Sequence, residues 1–569
     1  MAKQVSDKQT SGVRGGDDEE AVLLLPPAEN RSLLEDTRSF LEKAPAPGRA
    51  KLPEQAFPRG RASRIPLVAL SFVLLLTALV TGWNILHYPR YEYGEGVSVS
   101  AAWAMFKQGR LSYYTYNYSQ GPLGWFQIGA WTALTHGEKA SGLYINSARL
   151  FMLVATTVST WLLFRIVHQA TGKTLAALGT ALVFAASPLG VGLHRQVWVD
   201  NLATVWLLLS LYLLIIAPGR LDRVLLSAVA FGIALLTQKS FAVFLPGLCY
   251  FAWVQSHPIQ RRFAGALWVT ITISALSLFA VTAFLRGELF PSEVFSPLQK
   301  PHVSLIGTWF FPLPVGRGGT VLDPWGDFNT HWPQWFRSDP VLTLSGAVAT
   351  GVGLLSRRLD PLLFQVSALS ASFTLFLMIN PTVSFSDVIP LTALLALSAG
   401  LLAAGVLKAS IRVRLPVRFD PGVQASGALA LLLLCFTWWA GTANKMNFTA
   451  DATTPQRQAI YWVARHLPRQ SKIVTDTYAL ADLSDPAFTS GHPFTLVNDG
   501  WASANDPSVR DSLLNNDWHS INFLVSSPAS QQAIIPIYQP LVTKAWKHSA
   551  VIQSFGTGKE AVEVRQVTN

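Results

Sequence analysis

The sequence predicts a polytopic α-helical membrane protein of about eleven transmembrane helices, with a small extracytoplasmic α/β domain at its C-terminal end. Three observations carry this. Half of the 569 residues are hydrophobic and 14% are charged, where a soluble chain carries about a quarter. Apolar runs long enough to cross a bilayer recur between residues 65 and 441. Beyond about residue 450 the pattern changes to short β-branched runs separated by helical intervals.

Residues 1–60 are polar, Pro-rich and unpatterned, with an acidic cluster at Asp17, Asp18, Glu19 and Glu20. They read as a disordered cytoplasmic tail, too long and too acidic for a signal peptide, so the first span is a retained anchor. The formal charge of +11 sits mostly in short loops between spans, where it reports topology. No basic–aromatic module or zinc spacing accompanies it, and nucleic acid is not an expected partner. Cys249 and Cys435 both fall in apolar spans and read as small hydrophobes.

The transmembrane region is taken as 61–445. Its first span is 65–86, preceded by Arg59, Arg61 and Arg64, which places the N-terminus in the cytoplasm. The loop from Tyr91 to Trp125 then lies outside. The apolar stretch 122–135 decides the sidedness of everything after it. Fourteen residues reach about 21 Å as a helix, short of a hydrocarbon core of about 30 Å. If it does not cross, the second span is 147–168, and the turns at Arg165/His168/Lys173, Arg220/Arg223, Arg261/Arg262, Arg357/Arg358 and Lys408/Arg412/Arg414/Arg418 are all cytoplasmic. If it crosses, they all land outside, against the charge bias. It is therefore read as a juxtamembrane or re-entrant helix, and Arg90, Lys107, Arg110, Lys139 and Arg149 as charges of the first loop. Further spans are expected at 174–192, 199–217, 222–237, 240–255, 264–285, 341–355, 361–379, 388–407 and 425–441. The external loop 286–340, rich in Trp, Pro and Gly, reads as an ordered lid or interfacial segment.

In the C-terminal domain, 450–569, an amphipathic helix is expected at 455–467. Strands are expected at 472–476, 494–497 and 521–527, with a closing pair at 550–555 and 561–567.

Ionisable side chains at a membrane face are costly unless they have a task. Those collected at the external side are Glu92, Glu95, Arg195, Asp200 and Lys239, followed by His194, His302, His331 and Asp387. Glu95, in Gly94-Glu95-Gly96, reads either as a general base, its proton affinity raised by partial desolvation, or as an ordinary loop acid. Glu92 reads first as a solvated charge. Asp200 opens a span and is either a helix cap or a functional carboxylate. Arg195 and Lys239 are either clamps on a phosphate leaving group or cations snorkelling to headgroups. Tyr113, Tyr114, Tyr116 and Tyr118 read as an interfacial belt before a sugar platform. No His, Cys, Asp and Glu set has metal-ligand spacing, so no cofactor is assigned; a divalent metal is not indicated. The sequons Asn117-Tyr118-Ser119 and Asn447-Phe448-Thr449 are given no role.

Taken in order, Glu95 after the first span, Tyr118-Ser119-Gln120-Gly121-Pro122-Leu123, Val199-Asp200-Asn201-Leu202, Leu236-Thr237-Gln238-Lys239 and Ile389-Pro390-Leu391 resemble the GT-C superfamily of polyprenyl-phosphate-dependent glycosyltransferases. On the bacterial branch the chain is similar to protein O-mannosyltransferases and the lipid A aminoarabinose transferase. The segment Gln120-Gly121-Pro122-Leu123 lacks the lysine such enzymes often carry there, and Glu92 and Glu95 stand where they commonly show adjacent acids.

The resemblance implies a multi-pass enzyme of a bacterial plasma membrane. It would move a sugar from a polyprenyl-phosphate donor to a lipid, protein or cell-wall glycan hydroxyl, with inversion. Glu95 would be the base and Asp200 would orient the sugar or acceptor. Lys239 and Arg195 would hold the lipid phosphate, with Glu92, Tyr118, Gln120 and His194 further along the substrate site. The competing reading is a transporter or flippase, which would place charges at mid-membrane.

Overall fold

The computed structural model describes residues 65–116, 118, 120–216, 218–291, 303–310, 318–412, 421–527, 540–558 and 561–568. The expected tail at 1–60 lies outside them. So do Asn117, Ser119, His302, Arg59, Arg61, Arg64, Arg414, Arg418 and parts of the 286–340 loop.

The chain begins with α1 (Ile65–Gly82), an uncharged apolar helix with most of its surface turned outward. Then come α2 (Tyr93–Trp103), α3 (Pro122–Thr135) and α4 (Tyr144–Thr171). The third of these is a 14-residue helix that starts at a proline and does not qualify as a span. The short helix expected at 122–135 is present with those bounds. Next are α5 (Thr174–Ala186) and α6 (Pro188–Arg195), which meet at 60°. Pro188 lacks the N–H that would continue α5, and Ser187 Oγ instead accepts from Gly190 N at 3.0 Å, starting a new helix.

The bundle continues through α7 (Val199–Ile216), α8 (Leu221–Thr237), a 3₁₀ turn Lys239–Phe244, α9 (Leu245–Gln255) and α10 (Arg261–Leu285). After the long loop, α11 (Asp327–Ser338) and α12 (Pro340–Leu355) meet at 109° around Pro340, where Asp339 accepts from Leu342 N at 2.9 Å. Three more helices complete it: α13 (Pro361–Ile379), α14 (Ile389–Arg412) and α15 (Pro421–Ala443).

This is a multi-pass membrane protein. Among the described residues seven helices are long and apolar enough to cross a bilayer, or nine if each bent pair is one span. The expected count of about eleven is not met on that measure, because α8 has 17 residues and α9 has 11. Connectivity sets the two ends of the bundle apart. Tyr144, at the start of α4, bonds Asp482 and Asp485 of the C-terminal domain, so the far end of α4, with Arg165 and His168, points away from it. The turn before α8 joins the end of α9, Gly219 N donating to Gln255 O at 2.7 Å. The basic turns thus gather at the end of the bundle opposite the C-terminal domain.

That domain holds α16 (Thr454–His466) and a five-stranded sheet: β1 (Lys472–Thr475), β2 (Leu496–Asp499), β3 (Phe523–Ser526), β4 (Ser549–Phe555) and β5 (Val562–Val567), ordered β2-β1-β3-β5-β4. β1, β2 and β3 are parallel; β5 and β4 close the edge antiparallel. Both faces are covered. Ile473, Val525 and Val564 pack on Ile460 and Val463 of α16 and on Tyr91 and Ile145 of the membrane region. Val474 and Leu524 face Ala502, Leu541 and Val542. The shared core makes Arg64–Asn569 one compact unit, so the membrane helices and the sheet are not loosely linked modules.

If the basic end is cytoplasmic, cysteines placed at Ile259 or Leu359 in a background lacking Cys249 and Cys435 will resist a membrane-impermeant maleimide in intact cells. A cysteine at Leu513, beyond the sheet, will react. All three positions are exposed, so accessibility reports sidedness alone; the reverse pattern would invert the topology.

Candidate functional site

The first turn of α2 is wedged between three other parts of the molecule. A Cβ on Gly94 would lie 2.3 Å from Cζ3 of Trp198, and one on Gly96 would lie 2.3 Å from the backbone carbon of Thr477 in the C-terminal domain. Only glycine permits both approaches. Between them Glu95 is fully buried. Its Oε1 accepts from Arg149 Nη2 at 2.7 Å and from Glu92 N at 3.1 Å; its Oε2 accepts from Arg149 Nε at 3.0 Å and Val197 N at 2.9 Å.

Arg149, equally buried, sends its remaining N–H groups to the carbonyls of Ile85 (3.2 Å), Pro89 (2.8 Å) and Arg90 (3.0 Å). A bidentate pair with every donor satisfied can be held inside a protein. With four donors on its two oxygens, Glu95 has no face left for an incoming hydroxyl. The expectation that Glu95 is the base is corrected: it is the structural anchor of the first loop.

Arg195 is likewise committed. It donates to the carbonyls of Thr81 (3.0 Å), Val80 (2.7 Å), Trp83 (2.7 Å) and Asn447 (2.5 Å). These are largely the carbonyls that α1 leaves unbonded at its C-terminus, which a cation suits. Arg195 therefore ties α1 to the chain entering the C-terminal domain, and the expected phosphate clamp is corrected on that ground. His194 turns into the bundle, Nδ1 2.7 Å from Asn201 Oδ1 and its ring 4.7 Å from that of Phe184. Thr156, Ser159 and Thr204, all buried, stand around it. It too is withdrawn as a substrate contact.

Tyr118 is buried in the left-handed backbone region (φ 55°), its hydroxyl donating to Glu288 Oε2 at 2.7 Å and its ring 4.6 Å from Tyr116. Gln120 accepts from Trp125 Nε1 at 3.2 Å. Both brace the start of α3. Glu92 is half exposed, 4.0 Å from Arg90, a surface pair of little energetic weight.

What the fold does bring together is a second group of side chains. Asp200, 4% exposed at the start of α7, accepts from Gln238 Nε2 on both oxygens at 3.1 Å. Asp387 is close enough for its charge to act on Asp200, and His331 acts in turn on Asp387. Asp387 is positioned by Ser384, whose N and Oγ donate to it at 2.9 and 2.7 Å. Lys239 follows Gln238 in the 3₁₀ turn. The start of α3 packs on the same end of α8: a Cβ on Gly121 would lie 1.9 Å from Leu236 O, and Gln127 Nε2 donates to Thr237 Oγ1 at 3.0 Å. Asp200, Lys239, His331 and Asp387 are among the ionisable residues the sequence singles out, whereas Gln238 and Arg149 stand there only as a motif neighbour and a loop charge. Among the described residues no group of three or more His, Cys, Asp or Glu is placed to hold a metal ion.

The C-terminal domain is locked to this assembly by polar contacts. Tyr113 donates to Val497 O at 2.8 Å, Asp499 N donates to Tyr114 Oη at 2.6 Å, and Thr477 Oγ1 donates to Tyr93 O at 2.7 Å. Burial first, then the charge of Asp476, pushes the Asp499 carboxyl up to about 6.

Residues 120–284 match the model of the dolichyl-phosphate-mannose-protein mannosyltransferase family. The structure is similar to that of ArnT from Cupriavidus metallidurans bound to undecaprenyl phosphate, with TM-score 0.53 and 15% identity over 89% of this chain and 98% of that one. Against the same protein in the apo state the TM-score is 0.55 and the identity 16%, over 88% and 98%. No curated protein matches the chain by sequence. The chain has the GT-C fold that its motifs resembled.

Removing one partner of a buried ion pair costs about 3–5 kcal/mol. Arg149→Met and Glu95→Gln will each lower the thermal unfolding temperature of the purified protein. The double variant will lose less than the sum of the two, because neither then leaves a buried charge alone.

A second outcome concerns pH. Asp499 is raised when folded, so its contribution to stability is full below its unfolded value near 4 and is lost as pH rises to about 6. Asp499→Asn, which still caps the following helix, will flatten the pH dependence of unfolding in that window and stabilise the protein at pH 7. An unchanged profile would remove Asp499 from the account.

Proposed function

We propose that this protein is a glycosyltransferase that moves a sugar from a polyprenyl-phosphate donor to an acceptor hydroxyl at the external face of the membrane. The observation that carries the reading is the buried Asp200 carboxylate, held on both oxygens by Gln238 and within the field of Asp387, at the end of the bundle that bears the C-terminal domain. Charges drawn from distant segments to one membrane boundary suit a substrate whose head is polar and whose tail stays in the bilayer. The fold shared with a protein captured with undecaprenyl phosphate supports the same donor class.

Asp200 is the base in this reading. Gln238 holds its carboxylate by both oxygens from one side, which fixes its direction and leaves lone pairs for an acceptor hydroxyl. The hydroxyl proton passes to Asp200 as its oxygen attacks the anomeric carbon. The bond from that carbon to the phosphate oxygen breaks on the opposite side, so a single displacement inverts the centre. The departing lipid phosphate carries away the electron pair. Lys239 would face the developing charge, and the start of α3 lies beside it. That helix begins at Pro122 with no side-chain cap, so its first N–H groups and dipole favour an anion. Asp387 orients the sugar or acceptor across from Asp200.

Purified protein in nanodiscs, given a panel of polyprenyl-phosphate sugars, will release sugar from one of them. Asp200→Asn will lower kcat by about 10²–10⁴-fold with little change in unfolding temperature. Lys239→Gln will reduce kcat, because negative charge develops on the lipid phosphate in the same single displacement. Full activity of Asp200→Asn would overturn its assignment as base, and absence of turnover across the panel would overturn the transferase reading.

A further inference from the structure

The parallel part of the C-terminal sheet has the order β2-β1-β3. The chain leaves β1 toward one neighbour and reaches β3 on the other side, so the topological switch lies between β1 and β3. Open α/β sheets bind ligands outside the carboxyl ends of the strands at that point. Here β1 runs into half-buried Asp476, which accepts from Ser526 Oγ at the end of β3 at 2.5 Å. Three buried polar atoms at this carboxyl edge, Thr475 Oγ1, Asn498 Nδ2 and Ser503 Oγ, find no partner among the described residues, and such orphans need an explanation.

The edge faces the membrane site. Thr477, next to Asp476, bonds the backbone of Tyr93. Tyr93 itself is 52% exposed, unusual for an aromatic flanked by two domains. Beside it the Trp198 ring lies against Gly94, its indole N–H fixed on Gln196 Oε1 at 3.1 Å, and two residues on is Asp200.

We infer that the acceptor is a neutral glycan, laid from Asp476 at the switch point across the rings of Tyr93 and Trp198 to Asp200. This rests on the transferase reading and adds the acceptor class to it. Flat rings receive the C–H faces of sugars, and carboxylates accept from their hydroxyls. The same carboxylates repel a phosphorylated or otherwise anionic acceptor. The C-terminal domain is then the part that selects what is glycosylated.

The test uses the full-length protein in nanodiscs with its active donor, and three probes: a set of neutral oligosaccharides, a phosphorylated oligosaccharide and a serine-rich peptide. Sugar release to water by the wild-type protein without acceptor checks the transferase reading separately. Given release, a neutral oligosaccharide will accept the sugar. Tyr93→Ala and Asp476→Asn will raise its KM by about tenfold and lower kcat less, whereas Tyr93→Phe, which keeps the ring, will retain the wild-type KM. Transfer only to the peptide or the phosphorylated probe, or an unchanged KM in both variants, overturns the inference while leaving the transferase reading in place.

Discussion

The contact between Glu95 and Arg149 holds the rest in place. A carboxylate and a guanidinium 54 residues apart, both without solvent exposure, meet at 2.7 Å. Neither would be tolerated there alone, since an unpaired buried charge costs several kcal/mol. Their other bonds give the pair its reach. Through Arg149 it gathers the carbonyls of Ile85, Pro89 and Arg90, and through Glu95 it gathers the N–H of Val197. The end of the first span, the first helix of the loop after it, α4 and the turn before α7 are thereby fixed against one another. Gly96 then lets the C-terminal domain close on the same turn.

The charges near this boundary divide by task. Glu95, Arg149 and Arg195 bond mainly to one another and to backbone, and so act as internal fasteners in a region where chain segments leave the regularity of the helices. Asp200, Asp387 and His331 instead bring ionisable groups into each other's fields. Like charges in one buried site are costly, and evolution keeps such arrangements where a substrate needs them. The fasteners hold the second set: Val197 N, bound by Glu95, is three residues from Asp200.

The spans are legible because hydropathy is a strong signal, and α3 is legible as a short helix with the bounds its apolar run predicts. The count differs where helices are short, α8 with 17 residues and α9 with 11. The second strand was expected at 494–497 and runs Leu496–Asp499. Asn498 and Asp499 are poor strand formers by type, but they pair with Val474 and Thr475 of β1, so the ladder overrides propensity. Within the site, attention to Glu95 was well placed and its task was misread. Arg149 stands at the very start of the expected 147–168 span, where a charge reads as part of the loop. In the structure it lies one turn inside a helix that begins at Tyr144, and no local pattern announces a partner 54 positions away.

A carboxylate at a membrane boundary thus has two physical fates, and its surroundings decide between them. Where donors converge on it from a guanidinium and two backbone amides, as on Glu95, its charge is used up in holding structure. Where one neutral amide holds it and another carboxylate stands near, as for Asp200, its charge remains available to a proton or a hydroxyl. Sequence position alone does not separate these fates, because both residues stand in the first turn of a helix beside an apolar span. The distinction lies in the partners that the fold brings from elsewhere: Arg149 for the first, Gln238 and Asp387 for the second.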